Sequence, residues 1–473
     1  MYNRGEEVRP ISNEFDVVVL GGGPGGYAAA LYGASAGLSV CVVEKEKVGG
    51  TCLHRGCVPA KEYLETASVY RTVLEASEFG ISSPSPTYDF SVAQSRKQKV
   101  VDQLWRGLSG LMKGRGIAIV EASGRYEGNG MVSLSDGNTV HGESIILATG
   151  SVPRTFPGFE PDGRYVMTSD EFLALNELPQ SVAVVGGGAI GCEFASMLCD
   201  MGAEVTIIEA LPSILAGCDE DIADVVKRSF RKRGITIHTG TSVTAHQPDG
   251  DYTKLLFGDG QELRVNAIIV SVGRRPNTDA MLGSDASVEL DARGFVKVDP
   301  YMRTSEQGVY AIGDIVNTAQ LAHVGFAEAI VAIKTILGEY AVPVEYSSVP
   351  WCIYTNPEVA FAGLTENQAR NMGYDILVKK DQFGGNSRAR ILGETQGMVK
   401  IVAERLSNGK AGKILGVHMV GPWVTEQLGQ GYLAVNWEAT PEEIGQFIQP
   451  HPTLSESFGE TVLALTGRGL HIG

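Results

Sequence analysis

The sequence predicts an α/β protein with two parallel-sheet units, followed by a C-terminal α+β region. Two observations predict the sheet units: short apolar segments at 15–20 and 181–185 each run into a glycine-rich turn and then a helix-like segment. A third observation predicts the last region. There, strand-like stretches at 398–402 and 415–419 precede helix-like stretches at 425–437 and 441–447, an order typical of α+β folds.

The composition limits the possible functions. A chain of 473 residues corresponds to roughly three domains. Its net charge of −16 repels phosphate backbones, so we expect no nucleic-acid partner. No apolar run approaches the ~18 residues that a membrane span needs. Residues 1–15 contain acidic side chains and no apolar signal region, so we expect a cytoplasmic protein without a targeting peptide.

The first glycine-rich turn follows residues 15–20 (FDVVVL), which have the apolar character of a buried parallel strand. Gly21 allows a tight turn, Gly23 lets the backbone approach a pyrophosphate, and Gly26 lets helix and strand pack closely. The free N–H groups of the following helix would bind the phosphates. Glu44, after the second strand, would accept hydrogen bonds from a ribose. These features predict a Rossmann-like dinucleotide site.

The second turn repeats the first. Residues 181–185 (SVAVV) precede Gly186, Gly188 and Gly191, and a second strand then ends at Glu209. The first glycine and the acidic residue are 23 positions apart in both copies, from 21 to 44 and from 186 to 209. A single glycine-rich turn is weak evidence, because many such turns bind nothing. Two complete units with equal spacing indicate two dinucleotide sites.

The acidic residue of the second unit also predicts which nucleotide binds there. The Glu209 carboxylate would accept a hydrogen bond from a ribose 2′-hydroxyl and repel a 2′-phosphate. Residues 210–217 (ALPSILAG) contain no arginine that could hold such a phosphate. The second site is therefore expected to bind NAD rather than NADP.

Two cysteines lie between the first unit and the next helix, in residues 49–61 (GGTCLHRGCVPAK). On an ideal helix Cys52 and Cys57 would be more than about 7 Å apart, too far for a disulfide. They can bridge only in an irregular segment, and a regular helix is expected after Pro59. Two ordinary reduced thiols are the alternative, but the position after a dinucleotide motif favours a redox pair. The other five cysteines are expected to be inert.

The segment GGTCLHRGCVPAK resembles the redox-active disulfide motif of the pyridine nucleotide–disulfide oxidoreductases. Further similar segments run along nearly the whole chain: ATG at 148–150, VGRRPN at 272–277, AIGD at 311–314, QLAH at 320–323 and HPTLSE at 451–456. The resemblance implies FAD at the first site, NAD at the second, and a Cys52–Cys57 disulfide that exchanges electrons with the flavin. It implies no metal.

The resemblance also assigns cofactor contacts. Those implied for FAD are Gly21, Gly23, Gly26, Glu44, Gly50, Thr51, Lys61, Gly124, Thr149, Gly150, Ser151, Asp314, Gln320, Leu321, Ala322 and His323. Those implied for NAD are Gly186, Gly188, Gly191, Glu209, Val243 and Gly273. Asp314 would hold the ribityl chain, and the backbone of 320–323 would meet the flavin ring. The side chain of His323 has a second interpretation, packing alone.

Four further residues are candidates for catalysis. His451 and Glu456 lie five positions apart with a proline between them, and the resemblance makes them a general base and the carboxylate that orients it. Outside such a family a His-Pro dipeptide is more often structural. The resemblance pairs Lys61 with Glu193 beside the flavin. Two solvated charges are the alternative, but Glu193 lies among apolar residues, where an unpaired charge is costly.

Two segments depart from the family pattern. Between the cysteines stand His54 and Arg55, where many members have Asn-Val. Their positive charge is expected to lower the thiolate pKa values or to alter substrate preference. Residues 324–327 (VGFA) replace a more charged stretch, which concerns helix packing more than chemistry.

The resemblance implies four regions and a dimer. Residues 1–150 would bind FAD, 151–277 would bind NAD, 278–348 would complete the FAD site, and 349–473 would form a dimerisation domain. His451 would then serve the disulfide of the other subunit. The expected reaction oxidises a dihydrolipoyl group, carried by an acyltransferase or carrier protein, and reduces NAD⁺.

Alternative functions remain open. One is an NAD(P)H-dependent reductase of another small disulfide, although such relatives mostly carry arginines after the second strand. A mercuric reductase would need a C-terminal cysteine pair, and the last cysteine here is Cys352. A diaphorase or quinone reductase would not need Cys52 and Cys57. A mainly structural subunit of a multienzyme complex is compatible with catalysis.

Overall fold

The computed structural model describes residues 13–472, which form two compact units built from separated stretches of chain. Of these residues, the first unit takes those up to Ala60, with Ser95–Pro153 and Arg274–Val344; the second takes Lys61–Gln94, Arg154–Gly273 and those from Glu345 onward. The four regions expected from sequence remain a prediction. Residues 1–12, on which the expected absence of a targeting peptide partly rests, lie outside the described residues.

The N-terminal part of the chain supplies most of the first unit. Its elements are β1 (Glu14–Leu20), α1 (Pro24–Ser35), β2 (Val40–Glu44), α2 (Gly50–Arg55), α3 (Cys57–Glu75), α4 (Phe90–Gly114), β3 (Ala118–Glu121), β4 (Gly124–Gly128), β5 (Met131–Leu134), β6 (Thr139–Leu147) and β7 (Ser151–Pro153). Pro24 opens α1, where a missing N–H costs nothing.

The middle of the chain supplies two sheets of the second unit and, as its last strand, a short strand of the first unit that pairs with β7. Its elements are β8 (Val166–Met167), α5 (Ser169–Phe172), β9 (Ser181–Val185), α6 (Ala189–Asp200), β10 (Glu204–Glu209), α7 (Glu220–Lys232), β11 (Thr236–Thr239), β12 (Val243–Asp249), β13 (Tyr252–Phe257), β14 (Gln261–Val265), β15 (Ala267–Val270) and β16 (Arg274–Pro276). Strands β8–β11 and β15 form a five-stranded parallel sheet in the order β11-β10-β9-β15-β8, and β12–β14 form an antiparallel sheet.

The last part of the chain contributes to both units. Its elements are β17 (Val309–Ala311), α8 (Ala322–Ile336), β18 (Trp351–Ile353), β19 (Glu358–Gly363), α9 (Glu366–Asn371), β20 (Ile376–Gln382), α10 (Ser387–Leu392), β21 (Met398–Arg405), β22 (Ala411–Gly421), α11 (Val424–Asn436), α12 (Pro441–Ile444) and α13 (Glu456–Leu465). Strands β18–β22 form an antiparallel sheet in the order β18-β19-β22-β21-β20. Helices α11 and α13 pack against it.

The sheet of the first unit has β1 at its centre, in the order β3-β2-β1-β6-β5-β4, with β17 also paired to β6. Val17 and Val19 enter one hydrophobic core and Val18 and Leu20 enter another, so both faces of β1 are buried. This explains why the strand is apolar at every position rather than alternately.

The architecture confirms the predicted fold class: two sheet units, each with parallel strands and a glycine turn after a central strand (β1 and β9), and a C-terminal α+β region. Across residues 13–472, no helix combines the length and the apolar character that crossing a bilayer requires.

Candidate active site

The first glycine turn has a backbone that only glycine allows at two positions. Gly21 adopts φ +109°, and a Cβ there would collide with the backbone of Ala148. A Cβ on Gly26 would collide with the carbonyl oxygen of Gly21, so β1 and α1 approach this closely only with glycine. The Glu44 carboxylate accepts a hydrogen bond from the Gly22 N–H at 2.8 Å. This bond fixes the carboxylate at the turn and leaves lone pairs for a ribose.

The turn also touches the helix that carries the first cysteine. Gly50, the first residue of α2, has φ +58°, and a Cβ on it would lie 2.6 Å from the Cα of Gly23. A Cβ on Gly23 would have nothing nearer than 3.9 Å. Space is therefore left beside Gly23, at the start of α1, where a phosphate would meet free N–H groups.

The second turn has the same contacts as the first. Gly186 adopts φ +106°, and a Cβ on it would lie 2.5 Å from the carbonyl oxygen of Ser271. A Cβ on Gly191 would collide with Gly186. The Glu209 carboxylate accepts a hydrogen bond from the Gly187 N–H, as Glu44 does in the first copy. The repeated motif in the sequence thus forms a repeated structure.

An open space lies beside the second turn. A cavity of about 480 Å³ is bordered by Gly188 and Ala189 at the start of α6 and by Leu215. A Cβ on Gly188 would have no atom within 4 Å. Among the other predicted NAD contacts, Val243 begins β12, and Gly273, with φ +101°, follows β15. This side of the turn can therefore admit a pyrophosphate.

Cys52 and Cys57 form a disulfide with a Cα–Cα distance of 4.6 Å. Cys52 lies in α2 and Cys57 begins α3, and Gly56 between them leaves helical geometry with φ −142° and ψ −111°. The irregularity expected from sequence is therefore a break at Gly56. The expectation that regular helix starts only after Pro59 was wrong. A proline in the first turn of a helix removes no intrahelical hydrogen bond, so α3 can begin at Cys57.

His54 and Arg55, which lie between the cysteines, both have partners. Arg55 forms an ion pair with Glu46 at 2.7 Å, and the ring Nε2 of His54 lies 3.0 Å from the carbonyl oxygen of Val48. The Arg55 charge is thus largely compensated at an exposed position, which weakens its expected influence on the cysteines. Glu46 was not identified from the sequence, because no pattern links it to Arg55.

Lys61 and Glu193 meet as the resemblance implies. The Lys61 Nζ lies 2.9 Å from both carboxylate oxygens of Glu193, whose side chain is 6% exposed. The backbone N–H of Tyr354 donates to the same carboxylate at 2.9 Å, and Lys61 lies 4.9 Å above the Tyr354 ring. Tyr354 was missed in the sequence, since nothing in its neighbourhood points to a contact 161 residues away.

His451 and Glu456 also meet. The His451 Nδ1 lies 2.8 Å from one carboxylate oxygen of Glu456, and the other oxygen accepts from the Thr453 N–H at 2.8 Å. Glu456 begins α13, where a negative charge is favourable. The His451 side chain is 68% exposed. The contact with Glu456 occupies Nδ1, so Nε2 is the ring nitrogen that remains for a substrate.

A second polar cluster surrounds Asp314. Its carboxylate accepts a hydrogen bond from the Ser151 hydroxyl and lies 3.9 Å from Arg274, which also donates to Ser151 at 2.6 Å. Gln320 donates to the Asp314 carbonyl oxygen at 3.3 Å. The resemblance had assigned Asp314, Ser151 and Gln320 to one site, and the structure brings them together.

The adjoining residues show one contact that the sequence did not reveal. Glu328, 0% exposed, accepts hydrogen bonds from the Gly313 N–H and the Thr318 hydroxyl and so fixes the turn before Asp314. Leu321 caps α8, and Ala322 and His323 are its first two residues. Their backbone N–H groups are therefore at a helix start.

The remaining predicted residues have structural contacts. Thr149 donates its hydroxyl hydrogen to the Asn277 carbonyl oxygen at 2.7 Å, and Gly150 adopts φ +74°. Gly124 begins β4, where a Cβ would press on Leu20. Thr51 is half-buried in α2.

The five other cysteines are free thiols. Burial raises the pKa of Cys41 and Cys218 to about 12 and that of Cys352 to about 11. Burial also raises the pKa of Cys192 and of Cys199. Because the thiolate is the reactive form, these residues are poor nucleophiles, as expected from sequence.

These features define an oxidoreductase with two dinucleotide sites and a redox-active cysteine pair. Residues 15–329 match the model of the pyridine nucleotide-disulphide oxidoreductases, and residues 349–462 match the dimerisation domain of the same proteins. The chain therefore belongs to the pyridine nucleotide-disulphide oxidoreductase family, as the sequence motifs indicated. The family implies FAD and NAD(H) as cofactors, and the C-terminal match supports a homodimer.

Similar proteins cover nearly the whole chain. A dihydrolipoyl dehydrogenase of Bacillus subtilis is 42% identical over 98% of this chain and 100% of its own. One from Thermus scotoductus is 37% identical over 97% and 99%. The crystal structure of LpdA from Mycobacterium tuberculosis superimposes with a TM-score of 0.88 at 25% identity over 95% and 99%. The flavoprotein disulfide reductase RclA from Escherichia coli gives 0.85 at 26% over 94% and 99%.

Proposed function

We propose that the chain is an NAD-dependent, FAD-containing dihydrolipoyl dehydrogenase. It would oxidise a dihydrolipoyl group on an acyltransferase or carrier protein and reduce NAD⁺. The observation that carries the proposal is the Cys52–Cys57 disulfide. Cys52 lies in α2, and the first residue of that helix, Gly50, contacts the first glycine turn. The relatives named dihydrolipoyl dehydrogenase support the same substrate. The sparse cysteines fit the expected cytoplasmic location.

The residues of the first unit fit FAD. The open side of Gly23 at the start of α1 suits the pyrophosphate, and the fixed carboxylate of Glu44 suits the adenosine ribose. The cluster of Asp314, Ser151 and Gln320 offers polar groups for the ribityl chain. When bound, the flavin supplies a two-electron carrier between the cysteine pair and the nicotinamide.

The second unit fits NAD. The Glu209 carboxylate is held by the N–H groups of Gly187 and of Leu211, the latter at 2.7 Å, so it is fixed where it could accept a hydrogen bond from a ribose 2′-hydroxyl. A 2′-phosphate there would meet a fixed negative charge. No arginine occurs in residues 210–217 to offset it.

Three residues, His451, Cys52 and Cys57, carry out the proposed thiol chemistry. His451 Nε2 takes the proton of one dihydrolipoyl thiol, and the resulting thiolate attacks the Cys52 sulfur. The Cys52–Cys57 bond breaks and Cys57 leaves as a thiolate. The second dihydrolipoyl sulfur attacks the lipoyl sulfur of the mixed disulfide, and its proton passes to the departing Cys52 sulfur. Cys52 is released, the lipoyl ring closes as a disulfide, and two electrons remain on the cysteine pair.

The exposed position of His451 supports its role in a homodimer. Its side chain is mostly exposed, and Glu456 holds the ring through Nδ1. We infer that His451 of one copy acts on the Cys52–Cys57 disulfide of the second copy. A separated monomer should therefore lack dihydrolipoamide activity while retaining both dinucleotide sites.

Lys61 and Glu193 would serve the hydride step. Lys61 lies on α3, which begins at Cys57, and Glu193 lies on α6, which begins beside the second glycine turn. The Tyr354 N–H holds the Glu193 carboxylate and so fixes the geometry of the ion pair. We propose that the pair places a paired charge beside the flavin and the nicotinamide.

The test is an assay of NAD⁺ reduction by dihydrolipoamide, beside NADH and NADPH oxidation with lipoamide and with glutathione disulfide. We expect turnover with dihydrolipoamide and NAD⁺, and little with NADPH or glutathione disulfide. The Cys52→Ser variant should lose lipoamide turnover and keep NADH oxidation by a dye. Reduction of another disulfide in place of lipoamide would contradict the substrate. Dye or quinone reduction by the unaltered enzyme without any disulfide turnover would indicate a diaphorase, and full lipoamide turnover in Cys52→Ser would contradict the role of the cysteine pair.

A further inference from the structure

Two ion pairs join helices α3 and α6 in the second unit. Lys61 pairs with Glu193, and ten residues further along α3, Arg71 pairs with Asp200 at 2.6 Å. The Asp200 side chain is 9% exposed. An isolated buried carboxylate is costly, so this position depends on its partners.

Arg233 is the second partner of Asp200 and caps α7. Its Nη2 lies 2.6 Å from the Asp200 carboxylate and also donates to the Ser196 carbonyl oxygen at 2.7 Å. Its Nη1 donates to the Asn356 carbonyl oxygen at 2.7 Å and to the Ser196 hydroxyl at 3.1 Å. One guanidinium therefore ties α7, α6 and the segment 354–356 together, which a lysine ammonium could not do with the same geometry.

The segment 354–356 leads back to the first ion pair. The Asn356 N–H donates to the Ser196 hydroxyl at 2.9 Å, and the Tyr354 N–H donates to the Glu193 carboxylate at 2.9 Å. Lys61 lies over the Tyr354 ring. The contacts thus form a closed ring from Lys61 through Arg233 back to Lys61. Several of its members, among them Lys61, Asp200 and Tyr354, border a polar cavity of about 120 Å³.

We propose that Arg233 is a positioning residue for the hydride-transfer half of the reaction. It holds the backbone of 354–356, whose Tyr354 N–H fixes the Glu193 carboxylate, which in turn fixes the Lys61 ammonium. Arg233 does not itself contact the Lys61 or Glu193 side chain in this chain of contacts. The inference rests on the proposed role of the Lys61–Glu193 pair. Electrostatic groups act in catalysis only when their geometry is fixed, and a misplacement near 1 Å can cost about a hundredfold in rate.

The test uses the Arg233→Met variant of the full-length, flavin-loaded enzyme. The rate at which NADH reduces the enzyme's own Cys52–Cys57 disulfide is measured anaerobically by stopped flow. We expect it to fall about tenfold. Hydrogen exchange supplies a second readout, because the Tyr354 and Asn356 amides should exchange faster in the variant. Unchanged rate and unchanged exchange would overturn the proposal.

A double-mutant cycle separates positioning from general structural support. If Arg233 acts through Glu193, Arg233→Met should lower the rate less than about twofold further in the Glu193→Gln background. Rate losses that multiply would overturn the proposal. The matched control is Arg264→Met, which breaks an exposed arginine–aspartate pair of 2.7 Å elsewhere in the second unit and should leave rate and exchange unchanged.

A milder variant covers the case in which Arg233→Met does not fold. Ser196→Ala removes the hydroxyl that accepts from both Arg233 and Asn356. We expect a smaller loss, about threefold, which should again vanish in the Glu193→Gln background. Multiplying losses, or none, would overturn the proposal. The half-reaction needs no dihydrolipoyl substrate, so inactivity with dihydrolipoamide would contradict the proposed function alone.

Discussion

Gly50 and Gly23 face each other so closely that a Cβ on Gly50 would lie 2.6 Å from the Cα of Gly23. The helix that carries Cys52 is therefore seated directly against the first nucleotide turn. No side chain fits between the start of α2 and this turn, so the position of α2 depends on the backbone of the turn.

Gly50→Ala should lower flavin retention and stability. Alanine at φ +58° costs about 1–2 kcal/mol, and its Cβ would displace Gly23 as well. The flavin-to-protein absorbance ratio and the thermal midpoint of the purified variant check this. Gly107→Ala is the matched control, because it lies inside α4 with open space around it, and should be neutral or gain about 0.5–1 kcal/mol. Full flavin content with an unchanged midpoint in Gly50→Ala would contradict the prediction.

Glu209→Gln should weaken the preference for NAD over NADP. Removing a fixed charge that would meet the 2′-phosphate removes a repulsion worth several kcal/mol, so the ratio of kcat/KM values should fall at least about tenfold. Steady-state assays with both nucleotides measure the ratio. Glu204→Gln, on the exposed start of the same strand, should leave the ratio unchanged. An unchanged ratio in Glu209→Gln would indicate that another group selects the nucleotide.

Glu456→Gln should lower dihydrolipoamide turnover about tenfold to a hundredfold. The amide oxygen can still accept from His451 Nδ1, but the charge that stabilises the protonated imidazole is gone. Dye reduction by NADH, which needs no thiol deprotonation, should persist. The control is Glu460→Gln, since Glu460 contacts His471 at 3.0 Å from the same helix α13. Equal losses in both variants would argue against a specific role for Glu456.

Lys400→Met should destabilise the second unit in a pH-dependent manner. The buried ammonium contacts Asp219, Asp221 and Glu366 at 2.6–2.9 Å. Burial opposes the charge, but these hydrogen bonds outweigh it and raise the pKa of Lys400. The hydrogen bonds from Lys400 and Arg370 lower the pKa of Glu366. Burial alone would raise the pKa of Asp221, but its lysine partners lower it.

The sign of the pH dependence follows from these directions. The lysine contributes stability below its unfolded pKa of about 10.4, and the carboxylates contribute above theirs, near 4. At pH 7 both contributions are present, so removing Lys400 should cost about 3–5 kcal/mol. The difference in stability between the Lys400→Met variant and the unaltered protein should shrink as the pH falls through the lowered pKa values of Asp221 and Glu366. Thermal scans from pH 3 to 8 test this, with Lys410→Met, from an exposed ion pair, as a nearly neutral control.

The features that sequence could predict are those encoded within about 30 consecutive residues. The two glycine units are local, and their equal spacing indicates them. The cysteine pair and the His451–Glu456 pair are local too, but the family resemblance was needed to assign their roles. The start of α3 was misjudged at Pro59, because the break lies at Gly56 and a proline in the first turn does not interrupt a helix. Lys61 and Glu193 were paired only through the family resemblance.

Contacts between distant segments left no local pattern. The Tyr354 N–H reaches Glu193 through its backbone, which any residue possesses, so the type of residue 354 gives no signal. In the sequence, Arg233 looks like any cation at the end of an amphipathic helix. Only the structure shows that it contacts α6 and residue 356. The buried Glu328 had a weak signal, an acid in the apolar stretch of α8, which could have suggested a fixed partner.

The order of strands along the chain has a consequence for synthesis on the ribosome. The sheet of the first unit includes β6, which ends at residue 147, and β17, which ends at residue 311. The 164 residues between them (311 − 147) take roughly 10–30 s to translate at about 5–20 residues per second. The parallel sheet of the second unit already has its last strand at residue 270. The nascent chain can therefore complete the parallel sheet of the second unit before β17, the last strand of the first unit's sheet, has been synthesised.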